Sequence, residues 1–198
     1  MLSARVVGLI ASGVLALAAV GCSSSPSPAK PPASSPVSSP ASSAGGHTYP
    51  AAGDLCAKVD QASLTARLGK LVDSKAGAVT PGGPVTQQTC SYRFGEPTAR
   101  IPVEVSVQMA TNGGSVADYY QGLRGVAQSN GAVTPVAGLG QGAYRYTNGI
   151  GPHLVTYDGN LYLSYAVITG ALPPGKVPAG IDAAEVASAR GTMAALAQ

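Results

Sequence analysis

Residues 100–109 read RIPVEVSVQM, and this stretch decides the fold. Apolar side chains occupy every second position from Ile101 to Met109, and mostly polar side chains such as Glu104 and Gln108 occupy the positions between them. Because successive side chains of a strand point to opposite faces of a sheet, this alternation predicts a strand with one dry face and one solvated face. Strands of that kind are typical of antiparallel sheets.

Four other segments carry strand patterns, and three of them follow one another in the last third of the chain. In the segment before residue 100, Cys90, Tyr92 and Phe94 are predicted to share one face. The predicted strands cover residues 88–94, 142–147, 153–157 and 160–169.

The last two predicted strands form a hairpin. Asp158-Gly159 lies between them, and this dipeptide favours a two-residue turn that pairs Tyr157 with Asn160. The predicted core face of this hairpin consists of Leu154, Leu161, Leu163, Tyr165 and Val167.

Three segments carry the start signals of helices. The predicted N-caps are Asp60, Ser115 and Asp182, for helices over residues 61–68, 116–128 and 183–197. Glu185 completes a predicted capping box with Asp182. The order of these elements predicts an α+β fold, in which about three helices pack on an antiparallel sheet of about five or six strands.

The first 21 residues have the pattern of a bacterial signal peptide. Arg5 provides a short positive region, and the apolar run over residues 6–20 is short for a membrane span. The sequence AVGC at residues 19–22 resembles the lipobox of bacterial lipoproteins. This resemblance implies a diacylglycerol group on Cys22 that anchors the protein at the outer face of the cell membrane. The alternative is an ordinary secretory signal followed by an unrelated cysteine.

The chain after the signal peptide divides into two parts. Between Ser23 and Gly46, 10 of 24 residues are Ser and 6 are Pro. A segment of this composition cannot bury a core, so residues 22–48 are predicted to be the lipidated cysteine and a disordered tether. Residues 49–198 are predicted to form a single extracytoplasmic α+β domain.

Two cysteines remain if Cys22 carries lipid. In an exported domain, Cys56 and Cys90 are most simply explained by one disulfide bond. A metal site is not expected, because the chain contains no C-x-x-C motif and only His47 and His153 as further nitrogen ligands.

Composition argues against several functions. Charged residues make up 11% of the chain and the formal net charge is +3, which does not suit a nucleic-acid-binding protein. The sequence around His153 has no nucleophile pattern, and the acidic residues are scattered rather than paired. We therefore expect no catalytic residues, no cofactor and no nucleic-acid partner.

The aromatic residues are dominated by tyrosine, with nine Tyr, one Phe and no Trp. Tyrosine combines a ring that can be buried with a polar hydroxyl, which is useful at binding surfaces. The alternative is that tyrosine simply fills the faces of a sheet. The candidate ligand or partner surface consists of Tyr144, Arg145, Tyr146, His153, Tyr157 and Tyr162.

The layout also resembles a group of proteins. Leu55-Cys56 precedes the first helix, Cys90-Ser91-Tyr92 lies on a strand, and residues 136–140 read VAGLG before a strand. This pattern is similar to that of actinobacterial, mycobacterial-type envelope lipoproteins of unknown function, and to sensor domains of some mycobacterial kinases. The resemblance implies a disulfide-bonded envelope domain that binds or scaffolds.

Two functions are therefore expected from the sequence. The first is a non-catalytic binding or interaction module that recognises an envelope protein or a wall component. The alternative is a carrier of lipid or glycolipid, with an apolar pocket between the sheet and the helices.

The lipid anchor can be tested at Cys22. We expect Cys22→Ser to release the protein from the membrane fraction and to remove the mass of the acyl groups, because the thiol is the attachment site. Fractionation and intact-mass measurement give both readouts, with Ser23→Ala as the control. A variant that stays membrane-bound with unchanged lipid mass would contradict the prediction.

Overall fold

The computed structural model describes residues 46–50, 53–82, 85–96, 99–110, 116–170, 172 and 178–198. These residues form an antiparallel sheet with three α-helices, so the predicted α+β fold is confirmed. Within this described part the sheet has eight strands, more than the five or six predicted. The helices are α1 (Ala62–Leu68), α2 (Val116–Asn130) and α3 (Ile181–Leu196). The strands are β1 (Leu71–Ala76), β2 (Thr80–Gly82), β3 (Val85–Glu96), β4 (Ala99–Ala110), β5 (Val133–Pro135), β6 (Gly142–Thr147), β7 (Pro152–Asp158) and β8 (Leu161–Val167).

The two longest strands organise the sheet. Its order is β1-β3-β4-β8-β7-β6-β5, and β2 pairs with β3 outside this path. Strands β3 and β4 pair from Val85 opposite Ala110 to Glu96 opposite Ala99. Because paired residues lie on the same face, the buried side chains of both strands form one continuous apolar surface. The alternation predicted for residues 100–109 is confirmed.

Strands β1, β2 and β5 lie outside the predicted segments. Strands β1 and β5 are the two ends of the sheet order, and β2 pairs only with β3. All the side chains of β1 are exposed except the half-buried Leu71. The other two strands have three residues each, and each contains a proline. Strands of this kind form through backbone pairing and bury little, so hydrophobic periodicity carries no signal for them.

The turn between β7 and β8 differs from the prediction. The turn residues are Gly159 and Asn160, whereas Asp158 belongs to β7. Tyr157 therefore pairs with Tyr162, and the predicted pairing with Asn160 is wrong. Gly159 has a φ of 54°, a conformation that glycine adopts without strain.

Contacts from the start of the domain explain this register. The Tyr49 hydroxyl donates a hydrogen bond to Asp158 Oδ2 at 2.8 Å, and His47 Nδ1 lies 3.0 Å from the same oxygen. The side chain of Asn160 accepts a hydrogen bond from the Tyr49 N–H at 2.7 Å and donates one to the Tyr49 carbonyl at 3.0 Å. These bonds hold Asp158 in the strand and Asn160 in the turn.

The hairpin keeps its predicted faces in spite of the changed register. The pairing differs by two residues, and side chains alternate with a period of two, so each side chain stays on the same side of the sheet. The predicted core face is confirmed, because all of its members are buried: Leu154, Leu161, Leu163, Tyr165 and Val167.

The helices cover both faces of the sheet unequally. Helices α1 and α3 belong to the main apolar core, which also contains the apolar side chains of β3, β4 and β8. Helix α2 packs on the opposite face, where it forms a smaller core with Tyr144, Val155 and Tyr162. The predicted solvated face is present beside β3, where Arg93 and Glu104 are exposed, but α2 covers the same face at β6, β7 and β8.

Helix α1 follows its predicted signals closely. Asp60 Oδ1 accepts a hydrogen bond from the Ala62 N–H at 2.9 Å, although the helix begins at Ala62 rather than at Gln61. Gly69, with a φ of 94°, ends the helix. In α2 the predicted cap, Ser115, lies outside the described residues.

The predicted capping of α3 is wrong. The residue before the helix is Gly180 in a left-handed conformation, with no side-chain cap. Asp182 instead forms an ion pair with Arg145 of β6. Glu185 is fully buried against the sheet and cannot close a capping box with Asp182. An acidic residue near the start of a helix can cap the helix, or it can bind or pack against groups that are distant in sequence. The local sequence is the same in these cases, so it does not distinguish the roles.

The predicted disulfide bond joins Cys56 and Cys90. It connects a 3-10 turn at Cys56–Lys58 with β3 and closes a loop of 34 residues. Both cysteines are buried in the main core.

Loss of this bond is expected to destabilise the domain strongly. For Cys56→Ala combined with Cys90→Ala, we expect a free energy of unfolding lower by roughly 3–4 kcal/mol, because the unfolded chain regains the entropy of a closed loop. Urea unfolding of oxidised wild type and of the double variant measures the difference. Equal midpoints, or two free thiols in the exported wild type, would contradict it.

Candidate ligand-binding cleft

Strands β6, β7 and β8 bring most of the predicted tyrosine surface together. In the β6–β7 pair, Tyr146 lies opposite His153 and Tyr144 lies opposite Val155. In the β7–β8 pair, Tyr157 lies opposite Tyr162. This register places five of the six predicted residues on the face that α2 covers: Tyr144, Tyr146, His153, Tyr157 and Tyr162.

Arg145 is separated from the other five. It follows Tyr144 in β6 and therefore faces the other side of the sheet, where Leu154 is its cross-strand neighbour. Its guanidinium pairs with Asp182 at the start of α3. Arg145 therefore does not share the face of the other five residues of the predicted surface.

The aromatic side chains form a connected cluster. Tyr146 and His153 stack with their rings 4.5 Å apart and nearly parallel, at 4°. Tyr120 of α2 packs on this side of the sheet, with ring distances of 4.5 Å to Tyr157 and 5.2 Å to Tyr144. Of the two adjacent tyrosines of α2, Tyr120 is buried whereas Tyr119 is 46% exposed.

A cleft of about 420 Å³ lies between α2 and this aromatic face. The stacked rings of Tyr146 and His153 line one part of it, and Ser164 and Ala166 of β8 line another. These two small side chains lie opposite Val155 and His153 in the hairpin. They leave a hollow because most of the large side chains of β8 point to the other face of the sheet, and Tyr162 is the exception.

Helix α2 and two asparagines complete the walls. The apolar side chains of Leu123, Val126 and Ala127 line the helix side, and Val126 is 58% exposed. Asn130 at the end of α2 and Asn148 after β6 also line the cleft. Sequence analysis did not identify these residues. The sequence of β8 contains a signal for the hollow. One face of this strand carries only large side chains, whereas side-chain size on the other face decreases from Tyr162 to Ser164 and Ala166.

The cleft is electrically neutral. Within the described part of the chain, no Asp, Glu, Lys or Arg lines it. Burial lowers the pKa of His153 below its ordinary value, which favours the uncharged imidazole. Burial raises the pKa values of Tyr144, Tyr146 and Tyr162, so their hydroxyls stay protonated. The cleft can therefore offer rings, hydroxyls and amides to a ligand, but no counter-charge.

Two other clefts are lined in part by charged residues. One of about 400 Å³ lies beside His47, Asp158 and Arg190. The other, of about 270 Å³, lies beside the ion pair of Arg145 and Asp182. Among the described residues there is no group of three or more side chains suited to hold a metal ion.

Comparisons of the chain with family models, curated proteins and solved structures find no match. Within the described ranges, none of the helices is long and apolar enough to cross a membrane.

Glu185 is the most unusual charged residue of the domain. Its side chain is 0% exposed, and neither carboxylate oxygen has a hydrogen-bond partner among the residues that the structure describes. Burial, together with the nearby carboxylate of Asp182, raises the pKa of Glu185 to about 8, although Arg145 opposes the shift. The acid is therefore mainly protonated at neutral pH.

This raised pKa predicts a pH-dependent stability. Between the ordinary value near 4.5 and about 8, folded Glu185 holds a proton that the unfolded chain has released, so stability falls as pH rises through this window. We expect Glu185→Gln to remove this fall, so that its stability relative to wild type increases from pH 5 to pH 8. The limiting slope is about 1.4 kcal/mol per pH unit.

Urea unfolding at several pH values across this window measures the effect. Glu104→Gln, which changes an exposed glutamate of β4, is the matched control and should follow the wild-type profile. Parallel pH profiles for wild type and Glu185→Gln would contradict the raised pKa.

Proposed function

We propose that this protein is a membrane-anchored lipoprotein of the cell envelope that acts as a non-catalytic binding module. Its ligand occupies the cleft between α2 and β6, β7 and β8. The observation that carries the proposal is the neutral, aromatic-lined cleft of about 420 Å³, whose size falls within the roughly 300–1,000 Å³ typical of small-ligand sites.

The aromatic lining also favours binding over a purely structural role. Apolar side chains would fill the space between α2 and the sheet more completely than Ser164 and Ala166 do. Val126 is largely exposed in the cleft wall although α2 has a buried face nearby. An exposed apolar group beside a hollow is typical of a surface that a ligand covers.

A carrier of lipid or glycolipid is the second candidate function. The observation in its favour is the apolar part of the lining, formed by Leu123, Val126, Ala127 and Val155. Native mass spectrometry of the full chain distinguishes this candidate. A non-covalently bound lipid that co-purifies reproducibly, and that Ala166→Leu excludes, would support a carrier. Protein that contains no lipid besides the covalent anchor would count against it.

Crosslinking from the cleft tests the binding module. With a photo-reactive benzoylphenylalanine at Val126, we expect an adduct in the native envelope, because this side chain borders the ligand. Adding Ala166→Leu fills the hollow and should abolish that adduct. The matched control places the same probe at Val79, which is exposed but lies between β1 and β2. Absence of an adduct at Val126, or an adduct that Ala166→Leu leaves unchanged, would contradict the proposal.

A further inference from the structure

We infer that the ligand of the cleft is a neutral carbohydrate, specifically an oligosaccharide segment bound beside the stacked rings of Tyr146 and His153. This inference rests on the proposed function, since it names the chemical class of the ligand for the same site. Three properties of the cleft support it: its aromatic wall, the amide groups of two lining asparagines, and the lack of charged residues in its described lining.

The aromatic wall is suited to the apolar face of a sugar ring. Tyr146 and His153 form a parallel stack. Both residues are half-buried, and both line the cleft. The C–H groups on one face of a pyranose or furanose pack against such rings, with contacts like those between aromatic pairs. Ser164 and Ala166 leave room beside His153 for that packing.

The two asparagines at the cleft are oriented by internal hydrogen bonds. Asn130 Nδ2 donates to the Val126 carbonyl at 2.8 Å, which leaves Oδ1 as an acceptor without a partner in the described part of the chain. Asn148 Oδ1 accepts hydrogen bonds from the backbone N–H groups of Ile150 and Gly151 at 3.0 and 3.3 Å, which leaves Nδ2 as a donor. The cleft therefore has one oriented amide acceptor and one oriented amide donor.

A hydroxyl group matches this combination because it both donates and accepts hydrogen bonds. An acyl chain would cover the amides of Asn130 and Asn148 without replacing their hydrogen bonds to water, which is costly. Among the described residues that line this cleft, an anionic ligand would find no cation, although the rings of Tyr146 and His153 also line the smaller cleft beside Arg145. A ligand with several hydroxyls and one apolar face fits the two amides, the aromatic wall and the uncharged lining. A neutral sugar has both the hydroxyls and the apolar face.

A free oligosaccharide and the headgroup of a glycolipid offer the same hydroxyl groups and sugar rings, and the two sources are separated by the test below.

The test uses the full chain in lipid nanodiscs and saturation-transfer difference NMR. The probes are maltohexaose, cellohexaose, mannohexaose and arabinohexaose, with hexagalacturonic acid as the anionic comparison and digalactosyldiacylglycerol in the nanodisc as the lipid-linked comparison. Empty nanodiscs provide the background. We expect at least one neutral oligosaccharide to bind, and its affinity to stay constant between roughly 50 and 500 mM NaCl, because no charge contributes.

Variants assign the binding to the cleft. We expect Tyr146→Ala and Ala166→Leu each to weaken binding by about tenfold or more, and Tyr146→Phe to stay within about threefold of wild type, since the ring makes the contact. Val72→Ala, which shortens an exposed side chain on β1 at the far edge of the sheet, is the control and should bind like wild type. Thermal unfolding shows whether each variant is folded.

Several results would overturn the inference: no binding by any free neutral oligosaccharide, binding of the glycolipid alone, or affinities that Tyr146→Ala and Ala166→Leu leave unchanged in folded protein. Failure here is distinguishable from failure of the proposed function. If the Val126 probe captures a cleft-dependent protein adduct while no sugar binds, the binding module stands and the carbohydrate assignment is wrong.

Discussion

The pairing register of β7 with β8 is the constraint on which the rest of the domain depends. Asp158 ends β7 because Tyr49 and His47 bind its carboxylate, and Asn160 is held in the turn by the backbone of Tyr49. Most large side chains of β8 enter the main core, and the observed register sets Ser164 and Ala166 opposite Val155 and His153 on the other face. The same few hydrogen bonds therefore fix which side chains face each other across the hollow of the cleft.

The central architecture could be predicted because it depends on strong local patterns. The alternation from Ile101 to Met109 and the shared face of Cys90, Tyr92 and Phe94 correspond to buried strands in the structure. The edge strands β1 and β5 could not be predicted in this way, since their backbones pair without burying an apolar face. The start of α3 was predicted incorrectly because Asp182 binds Arg145, a residue distant in sequence.

The candidate site was accessible to sequence reasoning only in part. Alternation in β6 was enough to place Tyr144 and Tyr146 on one face, and the same rule places Arg145 on the other. The cleft itself depends on tertiary packing. Its walls combine a helix, three strands and an asparagine from a loop, and the distance between α2 and the sheet follows from Tyr120 packing on Tyr144 and Tyr157. A single sequence carries little information about that distance.

The two faces of the sheet differ in how they treat polar groups. On the α3 face, the Tyr165 hydroxyl is satisfied internally, at 2.8 Å from Thr192 and 3.1 Å from Ser188, so the core closes. On the α2 face, oriented amides and protonated tyrosine hydroxyls border an open hollow. Polar groups at such a position keep their hydration until another molecule replaces it. A ligand that supplies equivalent hydrogen bonds loses little on entering, whereas one without polar groups displaces water from Asn130 and Asn148 without replacing its hydrogen bonds. The open hollow of the α2 face therefore suits the proposed ligand, which is both hydroxylated and partly apolar.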